Sequence, residues 1–147
     1  MNSLIMYKDS DFEDILRIYL DAFTAPPLNY DFLTEQNARR YISDLIKTPG
    51  FMGYTYAVDG EIIAFCFGKL DNYFEGSVFK VDELAVASAH HRGGVGSAVM
   101  NLLETKLAGY NVAAVSLQTS RTLPAFGFYL KNGYEEVQDN VSLLKLL

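Results

Sequence analysis

The stretch Val81-Asp-Glu-Leu-Ala-Val-Ala-Ser-Ala-His-His-Arg-Gly-Gly-Val-Gly-Ser-Ala-Val-Met100 constrains the fold more than any other part of the chain. It reads as a β-strand, a polar turn, a glycine-rich loop and the first turns of an amphipathic helix. A strand that feeds a glycine-rich helix start makes an anion site, because unpaired backbone N–H groups and the positive helix end converge on one spot. Gly93, Gly94 and Gly96 admit a phosphate close to the backbone without Cβ interference. Arg92 adds a fixed cation beside them. The amides from Gly93 through Val95 to Ser97 therefore predict a pyrophosphate site.

Half of the 147 residues are apolar and 20 % are charged, so the sequence predicts one folded domain over residues 1–147 with a sizeable core. The net charge is −6 and the basic residues are scattered. A nucleic-acid partner is disfavoured on that ground, since a duplex binder presents a basic face. The acidic balance suits a cationic substrate, although acidity also serves solubility alone. Cys66 is the only cysteine, which excludes an internal disulfide and a cysteine-based metal cluster. It falls in the apolar run Ile62–Gly68 and reads as a small core hydrophobe rather than a catalytic thiol. His90 and His91 lack neighbouring carboxylates, so no metal site is expected. No apolar run is long enough to span a membrane and no export pattern opens the chain, which reads as cytoplasmic.

Apolar spacing and turn residues set the expected order of elements. A first strand covers Ser3–Tyr7. A helix opens at Asp9-Ser10, carries Phe12, Ile15, Leu16, Tyr19 and Phe23 on one stripe, and ends at Ala25-Pro-Pro. A second helix is expected over Asp31–Lys47. Two strands, Met52–Val58 and Glu61–Leu70, meet at Asp59-Gly60, a strong hairpin signal. A looser turn over Asp71–Gly76 leads to a strand over Ser77–Val86. A helix over Gly94–Ala108, a buried strand over Ala113–Gln118 and a short helix over Pro124–Lys131 come next. A last strand or hairpin is expected from Tyr134–Val137 and Val141–Leu146. The order β-α-α-β-β-β-α-β-α-β predicts an α/β sandwich with a mixed sheet.

Three segments resemble the GNAT family of N-acetyltransferases. Asp82-Glu-Leu-Ala-Val86 with His91-Arg-Gly-Gly-Val-Gly96 is similar to that family's acetyl-CoA strand and phosphate loop. Ser116-Leu-Gln-Thr119 is similar to the strand that splays from it. Ala125-Phe-Gly-Phe-Tyr-Leu-Lys-Asn-Gly-Tyr134, about 30 residues beyond the loop, is similar to the family's A-x-x-F-Y-x-x-x-G-[Phe/Tyr] signature. The resemblance implies a mostly antiparallel mixed sheet flanked by helices, with a splay between its two central strands. It also implies acetyl-CoA as acetyl donor, with the main chain of Leu84, Ala85 and Val86 pairing to its pantetheine arm. His91 stands where the family carries Gln or Arg, and an imidazole can still donate one hydrogen bond to a phosphate. Thr122 stands where many members have an Asn that touches the cofactor.

On the same footing, the resemblance implies Tyr129 as general acid, because a phenol is protonated at neutral pH and a departing thiolate can take its proton. Asp82 and Glu83 offer the basic side. Alternation sends these neighbours to opposite faces unless a bulge intervenes, so one of them should meet the amine, and which one is open. Tyr30, Tyr54, Tyr73 and Phe74 are candidate walls for the acceptor, each equally at home in a core. The leading expectation is transfer of an acetyl group to a small, cationic primary amine by direct attack. A protein lysine or N-terminal amine as acceptor, and a non-catalytic acyl-CoA-binding domain, are the alternatives. No membrane partner is expected, and relatives in the family commonly form homodimers.

Overall fold

The structure, a computed structural model, describes residues 2–147. In chain order it comprises β1 (Ser3–Met6), a 3-10 turn (Asp9–Asp11), α1 (Phe12–Thr24), α2 (Glu35–Ile46), β2 (Phe51–Val58), β3 (Glu61–Tyr73) and β4 (Gly76–Val86). A short 3-10 turn (Ser88–His90), α3 (Val95–Gly109), β5 (Val112–Leu117) and α4 (Pro124–Lys131) follow. The strands form one sheet in the order β1-β2-β3-β4-β5. All pairs are antiparallel except β4 with β5, which run parallel across the α3 connection, as a crossover of this length requires.

Each face of the sheet buries its own apolar layer. On one side α1 and α2 bring Ile15, Ile18, Tyr19 and Ile42 against Phe65, Phe67 and Ala85. On the other, Val99, Met100 and Leu103 of α3 and Tyr129 of α4 pack on Tyr54, Cys66, Phe79 and Val81. Cys66 is wholly buried, as its apolar neighbours predict. Among the described residues no helix is long and apolar enough to cross a membrane.

Local chemistry explains the element ends. The Asp59-Gly60 turn has positive φ at both positions (51° and 82°), the two-residue geometry whose twist matches a hairpin. The second helix starts at Glu35 rather than Asp31, because the Thr34 side chain accepts a hydrogen bond from the Asn37 N–H (3.1 Å) and caps it there. The expected turn at Asp71 is instead strand, since Asp71 and Asn72 pair with Val78 and Ser77, leaving only Phe74-Glu75 between the strands.

The largest departure is at the C-terminal end. The strand or hairpin expected from Tyr134–Val137 and Val141–Leu146 does not form, and these residues carry no strand. β-prone composition makes a strand only where a neighbouring edge supplies hydrogen bonds, and this segment does not pair with β5.

One glycine lets the central strands pass. A Cβ on Gly68 would lie 2.3 Å from the Lys80 carbonyl oxygen and 2.6 Å from the Phe79 ring, and the first of these is backbone. Gly68→Ala is expected to destabilise the fold by about 1–3 kcal/mol, the range for overpacking a filled interior. A urea titration followed by circular dichroism measures it.

Candidate functional site

The sheet opens between its last two strands. The ladder of β4 with β5 runs from Ser77 to Val81 and stops, while β4 continues to Val86. Asp82 to Val86 therefore have β3 on one side and an open cleft on the other. The pairing of β3 with β4 slips between Phe67–Glu83 and Gly68–Val81, so Asp82 is the extra residue of a bulge. Beyond it, Ala87 donates its N–H to Ile63 of β3 (2.8 Å). Alternation then turns the polar groups of Val86 and Leu84 toward the cleft, and leaves Ala85 facing β3. The Val86 carbonyl accepts from His91 Nε2 at 2.7 Å, so the imidazole folds back onto the strand end, and with its one N–H used there Nδ1 is an acceptor rather than the phosphate donor expected from the sequence.

The glycine loop follows. Arg92 and Gly94 both sit at positive φ (64° and 77°), and Gly94 caps α3 without a side chain. The Gly94 carbonyl accepts from Ala98 (3.0 Å). The N–H groups of Val95, Gly96 and Ser97, in the first turn, have no carbonyl of the helix to reach. A Cβ on Gly94 would meet nothing within 4 Å, so the space in front of the loop is open. A Cβ on Gly96 would lie 3.1 Å from the Phe128 ring of α4, so this glycine lets α3 and α4 close on each other. Asp21 of α1 accepts from the Ser88 N–H (2.6 Å) and the Ser88 hydroxyl (2.8 Å), and pins the turn that enters the loop. Nothing local in the sequence marked Asp21, because its partner lies far along the chain.

Tyr129 projects from α4, a helix started by Pro124 in its first turn. Its ring sits edge-on to Phe128 and Tyr134 and is 8 % exposed. Burial, with smaller contributions from Cys66 and Glu83, raises its pKa above the ordinary phenol value. The hydroxyl therefore stays protonated through neutral pH. Tyr129 lines a cavity of about 610 Å3 together with Leu117, Gln118 and Thr119. Cys66 is no competitor as nucleophile, since burial pushes its thiol up to about 12. Thr122 lies just before α4, its hydroxyl 2.9 Å from that of Ser120 within a local turn. Arg121 pairs with Glu136.

Glu83 sits on the α1–α2 side. The Tyr41 hydroxyl of α2 donates to its Oε1 at 2.7 Å. Burial pushes the carboxyl up to about 7; the Tyr41 hydrogen bond pulls it down and the charge of Asp82 pushes it further up. Neither acid pairs with Arg17, which bonds Asp14 instead (3.2 Å). From Tyr41 a row of rings runs outward through Tyr19, Phe23, Tyr30 and Phe32, with successive centroids 5.7, 4.6, 6.0 and 5.2 Å apart. Tyr30 thus belongs to this face. Tyr54 is core (2 % exposed), and Tyr73 and Phe74 are exposed at the β3–β4 turn, so these three form no acceptor wall with it. Helical spacing puts Tyr19 on an apolar stripe, and only the three-dimensional packing joins it and Tyr41 to Glu83.

The sheet is parted beside a glycine-capped helix, with a buried phenol and a half-buried carboxyl near the parting, an arrangement suited to acyl transfer, and comparison with known proteins gives the family. The model of the acetyltransferase (GNAT) family matches residues 12–134. The chain belongs to the GNAT family of N-acetyltransferase enzymes. No curated protein sequence matches it. Among solved structures it is similar to a possible acetyltransferase from Clostridium difficile 630 (TM-score 0.82, 12 % identity, 100 % of this chain and 99 % of that one). It is also similar to a ribosomal-protein-alanine N-acetyltransferase from Brucella melitensis biovar Abortus 2308 (TM-score 0.74, 15 % identity, 100 % and 99 %). A third is an aminoglycoside antibiotic 6'-N-acetyltransferase from Acinetobacter haemolyticus (TM-score 0.72, 14 % identity, 99 % of each chain). At these identities the likeness is one of fold.

The Tyr41 contact has a direct consequence. Tyr41→Phe removes a hydrogen bond that favours the charged carboxylate, so the Glu83 titration is expected to move upward from about 7. Carboxyl 13C NMR across pH 5–9 measures it; an unmoved or lowered midpoint would count against the contact.

Proposed function

We propose that the chain is one acetyl-CoA-dependent N-acetyltransferase domain acting on a small, cationic primary amine by direct attack. The observation that carries this reading is the pair of groups at the parted end of β4: a phenol held neutral (Tyr129) and a carboxyl that titrates near 7 (Glu83). Two titratable groups whose surroundings push them toward opposite tasks are the usual sign of an acid and a base.

In this scheme the amides of Gly93 to Ser97 hold the cofactor's diphosphate, with Arg92 beside it, while His91 spends its N–H on the Val86 carbonyl and braces the strand end. Leu84 and the Val86 N–H would pair with the pantetheine arm of acetyl-CoA in place of the missing strand, the Val86 carbonyl being held by His91. Ala85 contributes its small side chain to the layer beneath. Thr122 lies at the entrance of α4, where it can bond to the same arm. When bound, acetyl-CoA supplies the activated thioester.

The chain's own groups then do the following. Glu83, deprotonated above about pH 7, takes a proton from the substrate ammonium directly or through water, and Asp82 adds negative charge beside it. The Val86 N–H faces the thioester carbonyl, where one well-aimed donor is worth about 3–4 kcal/mol to the developing oxyanion. Tyr129 gives its proton to the departing thiolate. The aromatic row from Tyr41 to Phe32 gives a cationic acceptor ring faces to approach along. Aminoglycosides, named for one structural neighbour, are amines of this kind. A buried, unreactive Cys66 is compatible with a reducing cytoplasm, where acetyl-CoA is made and used.

Steady-state kinetics with acetyl-CoA and a panel of amines test the assignment. Tyr129→Phe is expected to lower kcat about 10-fold or more with coenzyme A affinity little changed; an unchanged kcat removes Tyr129 from the mechanism. Gly94→Val is expected to abolish coenzyme A binding in calorimetry, since a β-branched residue is strained at φ 77° and its side chain fills the mouth of the loop. Wild-type affinity in that variant would overturn the phosphate-loop assignment. Glu83→Gln should remove the rise in kcat/KM through pH 7 that a base of this pKa produces.

A further inference from the structure

Asp21 goes against the local rules of the helix that carries it. It sits in the last turn of α1, where the negative end of a helix disfavours a carboxylate and favours a cation, and aspartate is a weak helix former. The helix itself is firmly seated, with Ile15, Ile18 and Ala22 buried in the layer between α1 and the sheet. A residue that weakens its own helix is placed for a partner elsewhere. That partner is Ser88, far along the chain: Oδ2 accepts the Ser88 N–H at 2.6 Å, and Oδ1 accepts the Ser88 hydroxyl at 2.8 Å. Hydrogen bonds to a carboxylate are stronger than neutral ones, and two to the same residue fix its orientation as well as its position.

Ser88 opens the short turn that joins β4 to the glycine loop. The remaining hydrogen bonds of this turn run to the sheet or within the turn. Ala87 donates to Ile63 of β3 (2.8 Å), the His90 N–H to the Ala87 carbonyl (2.9 Å) and the His91 N–H to the Ser88 carbonyl (3.2 Å). The His91 ring reaches back to the Val86 carbonyl (2.7 Å). Among the described residues, Asp21 makes the only hydrogen bonds from the helix layer to this turn. Arg92 and Gly94 follow, both at positive φ (64° and 77°). A left-handed arginine is uncommon and persists only where its surroundings over-determine it. At the far end of the loop α3 is fixed by Val99, Met100 and Leu103 in the core. The loop is thus a short span held at both ends, and Asp21 holds the near one.

We propose that Asp21 is a positioning residue for coenzyme A: without contact to the cofactor, it sets the affinity by holding the Ser88 end of the glycine loop. The proposal rests on the assignment of that loop to the diphosphate. Amides that already converge on one spot bind a phosphate without first being ordered. A loop released at one end is ordered on binding, and the lost conformational freedom weakens the complex.

Calorimetry of coenzyme A binding to the purified full chain tests this, with thermal melting of each variant with and without coenzyme A. Asp21→Ala is expected to weaken binding about 10-fold, the scale of one hydrogen bond to a charged group, and to shrink the rise in melting temperature that coenzyme A gives. Asp21→Asn is expected to stay close to wild-type affinity, since its Oδ1 can accept the Ser88 N–H and its Nδ2 can donate to the Ser88 hydroxyl oxygen. Ser88→Ala removes the hydroxyl and keeps the N–H, so it should fall between them, and it decides the question if the Asp21→Ala chain does not fold. A lower melting temperature with undiminished coenzyme A affinity in the Ala variants assigns Asp21 to stability alone and overturns the proposal. An Asn variant as weak as the Ala variant overturns it too, because charge and not the pair of contacts would then matter. A wild-type chain that takes up no coenzyme A overturns the loop assignment and this proposal together; uptake by the wild type that the variants leave unchanged overturns this proposal alone.

Discussion

Everything at this site depends on β4 outlasting its partner. A strand normally meets its backbone hydrogen-bonding needs on both sides, and a buried strand left without a neighbour is costly. Here β4 loses β5 after Val81 but keeps β3 to its end, so one side of the strand is held straight and the other faces the cleft, where the Val86 carbonyl accepts from His91. An extended amide-bearing ligand can restore the missing ladder. The glycine loop starts only a few residues on, so the strand that offers the ladder also leads to the unpaired amides at the start of α3.

The bulge at Asp82 decides which of the two carboxyls turns to the α1–α2 side. Without it, regular alternation would put Glu83 on the same face as Val81, against the α3 layer. With it, Glu83 turns to the α1–α2 side, meets the Tyr41 hydroxyl, and is buried enough to titrate near neutrality. Tyr129 rises from the opposite layer. The Tyr129 hydroxyl and the Glu83 carboxyl therefore belong to layers on opposite faces of the sheet.

Much of this was legible in the sequence, and the reasons are specific. The hairpin at Asp59-Gly60, the helix stop at Pro26 and the glycine-led start of α3 are local signals, and each element formed close to where those residues placed it. The partner of Glu83 was not legible, because Tyr41 is distant in the chain and its helical spacing reads the same whether its ring is core or site. Asp21 was hidden for a like reason. Asp82 against Glu83 turned on a bulge, which no residue pattern around it announced. The last strand failed for a different cause: alternation after Asn140 describes a strand faithfully, yet pairing is a property of two edges, and only one was on view.

Gly96 has a consequence beyond the loop. Its lone hydrogen faces Phe128, the residue just before Tyr129, and a methyl there would sit 3.1 Å from that ring, forcing a shift of a few tenths of an ångström. The span from the glycine loop to the phenol is thus set like the jaws of a caliper, closed down to the smallest spacer a protein has. In the proposed scheme, a long thin molecule gripped at both ends is thereby measured for length as well as for charge.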